Sequence, residues 1–331
     1  MKKILLFDTS QGTKNLGDFI IMEAIHKQLQ FLLENNFVIS YPTHMPILHS
    51  YQMLRKNEVS KACREADYKF LCGTNLFAHN LLHITLGWNI NLIDAKNYEG
   101  SISIGCGSVP SDKKINSYTK AVYHKALNHE VVHSTRDERT KDFLESLGFQ
   151  AINTGCPTTW SLTEEFCKEI PKEKANNVVF TLTDYKQDEQ KDEMLLQLLL
   201  ENYENVYFWP QGDADYDYFR KMKNADKVKI LGANLPSYHH LLSNDALDLD
   251  YVGTRLHAGI YAMQHKRRSI IINVDNRAKD MTRTYGLHII EREQIQDVPN
   301  YIKQEIETNI KLNVENIKKW KQQFEKCEEE K

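Results

Sequence analysis

Short apolar runs alternate with amphipathic segments along most of the chain. The apolar runs predict buried strands, and apolar residues recurring at three- and four-residue spacing predict helices between them. In the first half, the predicted strands are Lys3–Asp8, Val38–Ser40, Tyr68–Cys72, Ser101–Cys106 and Val131–Thr135. Because strands alternate with helices, they are expected to form a parallel sheet joined by crossover connections.

The pattern breaks over Cys156–Asn177, which contains two prolines and a charged run, and then starts again. In the second half, the predicted strands are Val178–Leu182, Val206–Trp209, Val228–Leu231, Leu249–Val252 and Ile270–Val274. An apolar stripe from Ile302 to Phe324 predicts one long amphipathic helix near the end of the chain.

These elements predict an α/β fold in which two Rossmann-like parallel-sheet domains face a cleft. We assign residues 1–157 to an N-terminal domain, 158–176 to a linker, 177–296 to a C-terminal α/β domain and 297–331 to the amphipathic helix. A chain of 331 residues is long enough to build two hydrophobic cores. Ligands of parallel sheets bind beyond the carboxyl ends of the strands, so residues that follow a strand are the candidates for function.

The composition narrows the class of protein. A net charge of -3 provides no basic excess for binding nucleic acid, and no apolar run is long enough for a transmembrane segment. Asp8 and Gln11 interrupt the first apolar run, which therefore predicts a strand rather than a signal peptide. The six cysteines form no C-x-x-C pair, so we expect a cytoplasmic protein with free thiols and no required metal.

The segment Y-V-G-T-R-L-H-A-G, at residues 251–259, carries the clearest functional signal. It joins a predicted strand to a predicted helix, whose start offers free N–H groups and a positive dipole end. Arg255 adds a planar cation, and His257 can exchange a proton near neutral pH. The arrangement suits an anionic substrate that undergoes proton transfer. Alternatively, a histidine on a helix face is a packed residue with a satisfied hydrogen bond.

Other candidates have structural interpretations beside functional ones. Asp18, in the first turn of a predicted helix, is either a general base for a sugar hydroxyl or a favourable partner of the helix dipole. Arg136 either reaches a ligand or belongs to an ordinary charge cluster at a helix start, which we favour slightly. Lys279 is either a ligand of donor anions or a surface lysine. We expect Trp209 to pack in the core.

Five motifs in order resemble the polysaccharide pyruvyl transferase family. They are N-L-G-D at Asn15–Asp18, S-I-G-C-G-S-V-P at Ser103–Pro110, S-T-R-D-E-R-T at Ser134–Thr140, G-T-R-L-H-A at Gly253–Ala258, and a trailing strand followed by Asp275 and Lys279. The resemblance extends from about Leu5 to Gly286.

The resemblance implies a fold similar to the glycosyltransferase type B architecture, with the acceptor side in the first domain and the donor side in the second. It implies transfer of a pyruvyl group from phosphoenolpyruvate to a sugar of a cell-surface polysaccharide or lipid-linked precursor, giving a cyclic ketal and phosphate. Phosphoenolpyruvate would be a co-substrate, and no cofactor is expected. Lipid-linked acceptors would bring the protein to a membrane surface, although a helix face mixing Lys with Glu suits anionic lipid poorly.

On this basis we assign roles to individual residues. His257 and Asp18 are the catalytic candidates. The donor-binding candidates are Arg255, Leu256, Lys279 and Arg136, and the acceptor-binding candidates are Asn15, Gly17, Asn75, Gly105 and Gly107. Arg255 and His257 match the family's donor-binding and catalytic positions.

Two departures from the family pattern keep alternatives open. The family commonly has three glycines where this chain has G-T-N at Gly73–Asn75, and Asp-Pro where it has C-P-T at Cys156–Thr158. One alternative is a nucleotide-sugar-dependent glycosyltransferase of the same architecture, which would want a carboxylate near the Gly-Thr-Arg turn. Residues 251–264 contain none. The other is a non-catalytic relative that binds saccharide or phosphate.

Overall fold

The computed structural model describes residues 1–53, 57–83, 87–111, 113–274, 287 and 289–325. Contacts divide the chain into two compact units, each with a six-stranded sheet. The first unit comprises Met1–Thr13, Ile21–Trp160 and Asn313–Lys331, and the second comprises Lys14–Ile20 and Ser161–Leu312.

The sheet of the first unit is entirely parallel, as predicted. Its strands are β1 (Lys3–Asp8), β2 (Phe37–Pro42), β3 (Tyr68–Phe77), β4 (Ile102–Ser108), β5 (His133–Thr135) and β6 (Ala151–Asn153). They lie in the order β2-β1-β3-β4-β5-β6. The chain order therefore reverses between β1 and β3, which is the topological switch point of this sheet.

The sheet of the second unit is also parallel. Its strands are β7 (Asn177–Thr181), β8 (Asn205–Phe208), β9 (Lys229–Ile230), β10 (Leu249–Gly253), β11 (Ser269–Asn273) and β12 (Ile289–Glu291). In the order β12-β11-β10-β7-β8-β9, the reversal falls between β7 and β10. Loops that leave these two strands diverge, and ligands bind in the space between such loops in open α/β sheets. The predicted α/β fold class is confirmed.

Helices connect the successive strands from β1 to β11. Those up to β6 are α1 (Gly17–Gln28), α2 (Gln30–Leu33), α3 (Ser50–Met53), α4 (Glu58–Glu65), α5 (Ala95–Tyr98), α6 (Ser117–Ala126) and α7 (Glu138–Ser146). Asn57, Asn116 and Asp137 each accept a hydrogen bond from a backbone N–H three residues later and so cap α4, α6 and α7. Gly148, with φ of +87°, follows the end of α7.

The later helices are α8 (Glu164–Cys167), α9 (Glu189–Asn202), α10 (Asp215–Phe219), α11 (Leu235–Leu242), α12 (Leu256–Gln264), α13 (Val298–Lys303) and α14 (Val314–Glu325). Short 3-10 turns lie at Pro157–Thr159, Asp184–Lys186, Ala225–Lys227 and Arg292–Asp297. Asp188 caps α9, and Asn234 caps α11. None of the helices in the described residues is long and apolar enough to cross a membrane.

The single long helix predicted from Ile302 to Phe324 is wrong, because α13 and α14 are separate. Gln304 leaves the helix with extended backbone angles, and the N–H of Ile306 donates to the carbonyl of Lys172 at 3.0 Å. Asn313 then starts α14 by accepting from the N–H of Asn316 at 3.3 Å. The apolar stripe is real, but its two halves pack in the cores of different units.

The glycine segments of β3 and β4 also differ from the prediction, which ended both strands before their last residues. Pairing continues through Thr74 with Cys106 and Asn75 with Gly107, with an irregularity before Phe77. Asn75 and Gly107 therefore lie within strands, beyond the predicted strand ends, and Gly105 lies within β4. Local sequence could not reveal this because cross-strand pairing, not turn propensity, decides where these strands end.

Alternate residues of β1 serve two cores. Leu5 and Phe7 belong to one hydrophobic cluster, whereas Ile4 and Leu6 belong to another. Strands covered on both faces are typical of parallel sheets and explain the uninterrupted apolar run in the sequence.

His133, the first residue of β5, is fully buried as a neutral imidazole. Its Nδ1 accepts from the N–H of Ser103 at 3.1 Å, so Nε2 carries the proton that it donates to the carbonyl of Asn128 at 2.9 Å. Burial lowers the pKa of His133 to about 4.

This histidine should make the fold sensitive to acid. The unfolded chain protonates an imidazole near pH 6.5, so between that value and about 4 it binds more protons than the folded protein. Stability must therefore fall as the pH falls, by about 2 kcal/mol between pH 7.5 and pH 5. His133→Asn should lower stability overall but show a smaller loss over this interval in urea unfolding. The exposed His129→Asn serves as the control, and an unchanged acid loss in His133→Asn would contradict the assignment.

Candidate functional site

Three loops meet at the carboxyl edge of the second sheet, and Arg255 holds them together. Arg255 follows β10 and directly precedes α12. Its Nε and Nη2 pair with both carboxylate oxygens of Asp215, which begins α10 after β8. Nη2 also donates to Asp184 Oδ1 at 2.8 Å, and Nε donates to the carbonyl of Leu182 at 2.9 Å, both beyond the end of β7. The site thus lies at the switch point between β7 and β10.

Asp215 is completely buried and accepts several further hydrogen bonds. Its Oδ2 accepts from the backbone N–H groups of Gln211 at 3.1 Å and Gly212 at 2.7 Å, and its Oδ1 from that of Asp184 at 3.0 Å. Burial raises the pKa of the Asp215 carboxyl, while Arg255 and the backbone N–H groups oppose that shift. Burial alone would lower the pKa of Arg255, but the attraction of Asp215 outweighs it and raises that pKa. With so many donors on its oxygens, Asp215 is the ionised partner of a permanent cation.

Sequence reasoning missed both carboxylates because they lie 40 and 71 residues from Arg255. The available signal was D-A-D at residues 213–215, which follows a predicted strand. The consequence is that the charge of Arg255, which we expected to be open to a donor anion, is compensated by Asp184 and Asp215.

The guanidinium nevertheless keeps one edge for other partners. Among the described residues, no hydrogen bond engages Nη1 of Arg255, and the ring of Tyr185 lies 5.1 Å from its Cζ. The Arg255 backbone is fixed as well, because the hydroxyl of Tyr251 donates to its carbonyl at 2.7 Å and its N–H donates to Thr181 Oγ1 at 3.2 Å. The role of Arg255 in donor binding stays a prediction.

The start of α12 has no side-chain cap among the described residues, unlike the starts of α9 and α11. Its first turn carries Leu256, which is half-buried, and His257, which is 7% exposed. The first N–H groups of a helix lack partners within the helix, and together with the dipole they favour an anion. The motif Gly253–Ala258 therefore presents the features that an anionic ligand requires.

The N-L-G-D motif groups with the second unit although it lies near the N-terminal end of the sequence. Asn15 forms an antiparallel bridge with Gly212, and the N–H of Leu16 donates to the carbonyl of Gln211 at 2.8 Å. The Lys14 carbonyl accepts from the N–H of Asp213 at 3.1 Å, and the two side chains form an ion pair at 3.0 Å. These contacts fix the segment beside the loop after β8.

The N-L-G-D and G-T-R-L-H-A motifs come together at Gly17. A Cβ on Gly17 would lie 3.0 Å from Gln211 Nε2, 3.2 Å from Asn15 Oδ1 and 3.3 Å from His257 Nδ1. Three predicted residues, Asn15, Gly17 and His257, are thus brought together. Asp18 follows in the first turn of α1 and is 6% exposed. Gln211 was missed, because nothing in its local sequence distinguishes it.

The remaining described candidates form a cluster in the first unit. Arg136 follows β5, and its Nη2 donates to Asn75 Oδ1 at 2.5 Å. A Cβ on Gly107 would lie 2.5 Å from that oxygen and 2.6 Å from the same Nη2, so only glycine leaves room for the pair. Arg136 Nε also lies 3.6 Å from Asp137 Oδ2. Whether this cluster binds a substrate stays a prediction.

Gly105 has a structural reason to be glycine. Its φ is +60°, and a Cβ there would lie 2.2 Å from Cδ of Pro157. Backbone conformation and packing thus require glycine here, independently of any acceptor. Lys279 and Asp275 lie outside the described residues.

Metal ligation has no support in the described part of the chain, where no three His, Cys, Asp or Glu side chains are placed to hold an ion. The sequence contains H-E-V-V-H at residues 129–133, a spacing that puts two histidines on one face of a helix. Here residues 128–132 are not helical and His133 begins β5.

Comparison with known proteins gives two findings. A sequence model described as Polysaccharide pyruvyl transferase matches residues 15–276. A solved structure, titled "S. aureus MnaA-UDP co-structure", matches 91% of this chain and 87% of that chain, with 10% identity and a TM-score of 0.50. At this identity the likeness concerns the fold, which is similar to the type B glycosyltransferase architecture. No curated protein matches the chain.

The two carboxylates that pair with Arg255 should contribute unequally to the free energy of unfolding. Asp215→Asn leaves a buried guanidinium without its main partner, so we expect a loss of roughly 3–5 kcal/mol in the free energy of unfolding. Asp184→Asn should cost less, because that side chain is 18% exposed and shares only one bond with Arg255. Urea unfolding of the two variants measures the difference. Equal losses of stability would show that Asp215 is not the main partner of Arg255.

Proposed function

This chain belongs to the polysaccharide pyruvyl transferase family, and from that premise we propose that it transfers a pyruvyl group from phosphoenolpyruvate to a saccharide. The acceptor would be a cell-surface polysaccharide or its lipid-linked precursor, and the products a cyclic ketal and phosphate. The observation that carries the proposal is the meeting of the N-L-G-D and G-T-R-L-H-A motifs at Gly17 and His257, beside a helix start that no side chain of the described residues caps.

Phosphoenolpyruvate carries a carboxylate and a phosphate on one enol carbon, so its site must receive two anionic groups. The N–H groups at the start of α12, with the helix dipole, suit one of them. Nη1 of Arg255 suits the other, with Nε and Nη2 anchored by Asp215. A charge-assisted hydrogen bond from an arginine contributes about 1.5–3 kcal/mol. The compensated charge of Arg255 means that its role is to orient the donor rather than to attract it over distance.

His257 is proposed as the proton donor. Its imidazolium protonates the methylene carbon of phosphoenolpyruvate, which becomes a methyl group and leaves an oxocarbenium-like centre at the neighbouring carbon. A saccharide hydroxyl attacks that carbon and loses its proton, phosphate departs, and a second hydroxyl closes the ring with loss of a second proton. One positioned acid or base contributes about 10²–10⁴ in rate.

Asp18 is proposed as the base that receives the hydroxyl proton. It lies in the first turn of α1, next to the glycine around which Asn15, Gln211 and His257 gather. A largely buried carboxylate beside the proposed donor site is suitably placed to accept a proton at that point of the reaction.

One observation favours a nucleotide-sugar-dependent glycosyltransferase as the second candidate. Residues 251–264, around the Gly-Thr-Arg turn, contain no carboxylate, but Asp184 from another part of the chain supplies one beside the turn. A carboxylate in that place suits the hydroxyls of a ribose. Stabilisation by uridine diphosphate, without stabilisation by phosphoenolpyruvate, would favour this candidate. Stabilisation by phosphoenolpyruvate without turnover would favour a non-catalytic relative.

Replacing the proposed acid should abolish the reaction without unfolding the protein. His257→Ala should reduce phosphate release from phosphoenolpyruvate and a panel of methyl glycosides by about 10²–10⁴. The upward shift in melting temperature caused by phosphoenolpyruvate should persist. The control is His240→Ala, an exposed histidine on α11. Phosphate release that continues undiminished in His257→Ala would remove the assignment.

A further inference from the structure

Gln211 contains a buried polar atom that the proposed chemistry has not yet used. The residue lies in the loop after β8 and is 3% exposed. Its Nε2 donates to Asn15 Oδ1 at 2.7 Å. Its Oε1 is buried and has no hydrogen-bond partner among the described residues. Buried acceptors are nearly always paired in folded proteins, so an unpaired one points to a ligand or an ordered water.

The surrounding hydrogen bonds determine that the unpaired atom is an oxygen. Asn15 Oδ1 accepts from the backbone N–H of Gly17 at 3.1 Å, and that N–H can only donate. The Asn15 atom is therefore an oxygen, and the Gln211 atom that faces it must be the NH₂ group. The other atom of the Gln211 amide is consequently a carbonyl oxygen, which accepts hydrogen bonds and cannot donate them.

The position of this amide connects it with the proposed reaction. The Gln211 Nε2 and His257 Nδ1 lie 3.0 Å and 3.3 Å from the same point, the place of a Cβ on Gly17. A side chain on residue 17 would crowd both groups, so glycine lets them lie close together. An amide group is thus fixed next to the proposed acid, and both are nearly buried.

The chemistry of a carbonyl oxygen selects among the groups that enter such a site. The phosphate and carboxylate oxygens of phosphoenolpyruvate are acceptors, so they repel Oε1 when ionised. A saccharide hydroxyl is a donor and complements it. A buried acceptor that a hydroxyl satisfies also rejects analogues lacking that hydroxyl, because the acceptor is then left unpaired.

We infer that Gln211 Oε1 accepts a hydrogen bond from the saccharide hydroxyl that attacks the donor, which makes Gln211 a specificity-determining residue. The inference rests on the proposed function. In the transfer step, the hydroxyl oxygen forms the new C–O bond, its proton passes to the proposed base Asp18, and phosphate leaves with the electron pair of the broken C–O bond. Gln211 holds the hydroxyl and does not exchange a proton, because an amide oxygen is not a base at neutral pH.

Two substitutions separate the oxygen of Gln211 from its NH₂ group. Gln211→Met and Gln211→Glu both remove the donor to Asn15, but only Glu keeps an acceptor oxygen at the end of the side chain. The exposed Gln197→Met on α9 is the control. Methyl glycosides of galactose and N-acetylmannosamine, with their monodeoxy analogues, serve as acceptors. Phosphate release gives kcat and KM, saturation-transfer NMR gives glycoside binding, and the melting-temperature shift gives phosphoenolpyruvate binding.

We expect Gln211→Met to raise the KM for the glycoside or lower kcat by about tenfold or more, with phosphoenolpyruvate binding within about twofold of the wild type. Gln211→Glu should retain more activity than Gln211→Met. The monodeoxy glycoside that lacks the attacking hydroxyl cannot be an acceptor for any variant, but it should bind the wild type more weakly than its parent glycoside does. Gln211→Met should lose that difference in binding.

Equal impairment of the Met and Glu variants would overturn the inference, because the bond from Nε2 to Asn15 would then explain the effect. Unchanged kinetics in Gln211→Met would overturn it as well and leave an ordered water as the partner of Oε1. If the wild type binds glycosides without releasing phosphate, the proposed function fails. In that case, loss of glycoside binding in Gln211→Met but not in Gln211→Glu still supports a hydrogen bond from a saccharide hydroxyl to Gln211 Oε1. A wild type that binds no glycoside of the panel contradicts the inference.

Discussion

The buried pair of Arg255 and Asp215 is the interaction on which the site of the second unit depends. Parallel strands deliver three loops to one edge of the sheet. Beyond the strand ends, Asp215 joins these loops by accepting from Arg255 and from the backbone of residues 184, 211 and 212. A pair with this many bonds costs much to break, and it therefore sets the positions of the groups around it.

The loop fixed by Asp215 also carries the residues that bind the N-L-G-D segment. Gln211 and Gly212 donate backbone N–H groups to Asp215, while the Gln211 carbonyl and side chain bind Leu16 and Asn15. The ion pair thus holds the loop after β8, that loop holds the N-L-G-D segment, and Gly17 is held beside His257 as a result. In a site assembled in this way, these contacts are in place before a ligand enters, and such an arrangement suits a reaction that depends on geometry.

The sequence was sufficient for the parts of the structure that local patterns determine. The run of apolar residues in β1 predicted a strand covered on both faces, and G-T-R-L-H predicted a strand followed by a helix start. It was insufficient where distant residues decide. Asp215 and Asp184 reach Arg255 across 40 and 71 residues, and Gly107 extends β4 because β3 pairs with it. The apolar stripe ending at Phe324 could not reveal that its halves pack in two cores.

The compensated charge of Arg255 limits how the proposed donor would be recognised. Two carboxylates beside one guanidinium leave no net positive charge at that point, so an approaching dianion gains little from long-range attraction there. Recognition of the proposed donor would then depend on short-range hydrogen-bond donors with fixed directions, namely the start of α12 and Nη1 of Arg255. Such donors discriminate by geometry. Because the charge of Arg255 is compensated, a neutral acceptor oxygen such as that of Gln211 can lie close by and still bind a neutral hydroxyl. A site with donors for anions on one side and an acceptor for a hydroxyl nearby is suited to bring a dianionic donor and a saccharide together.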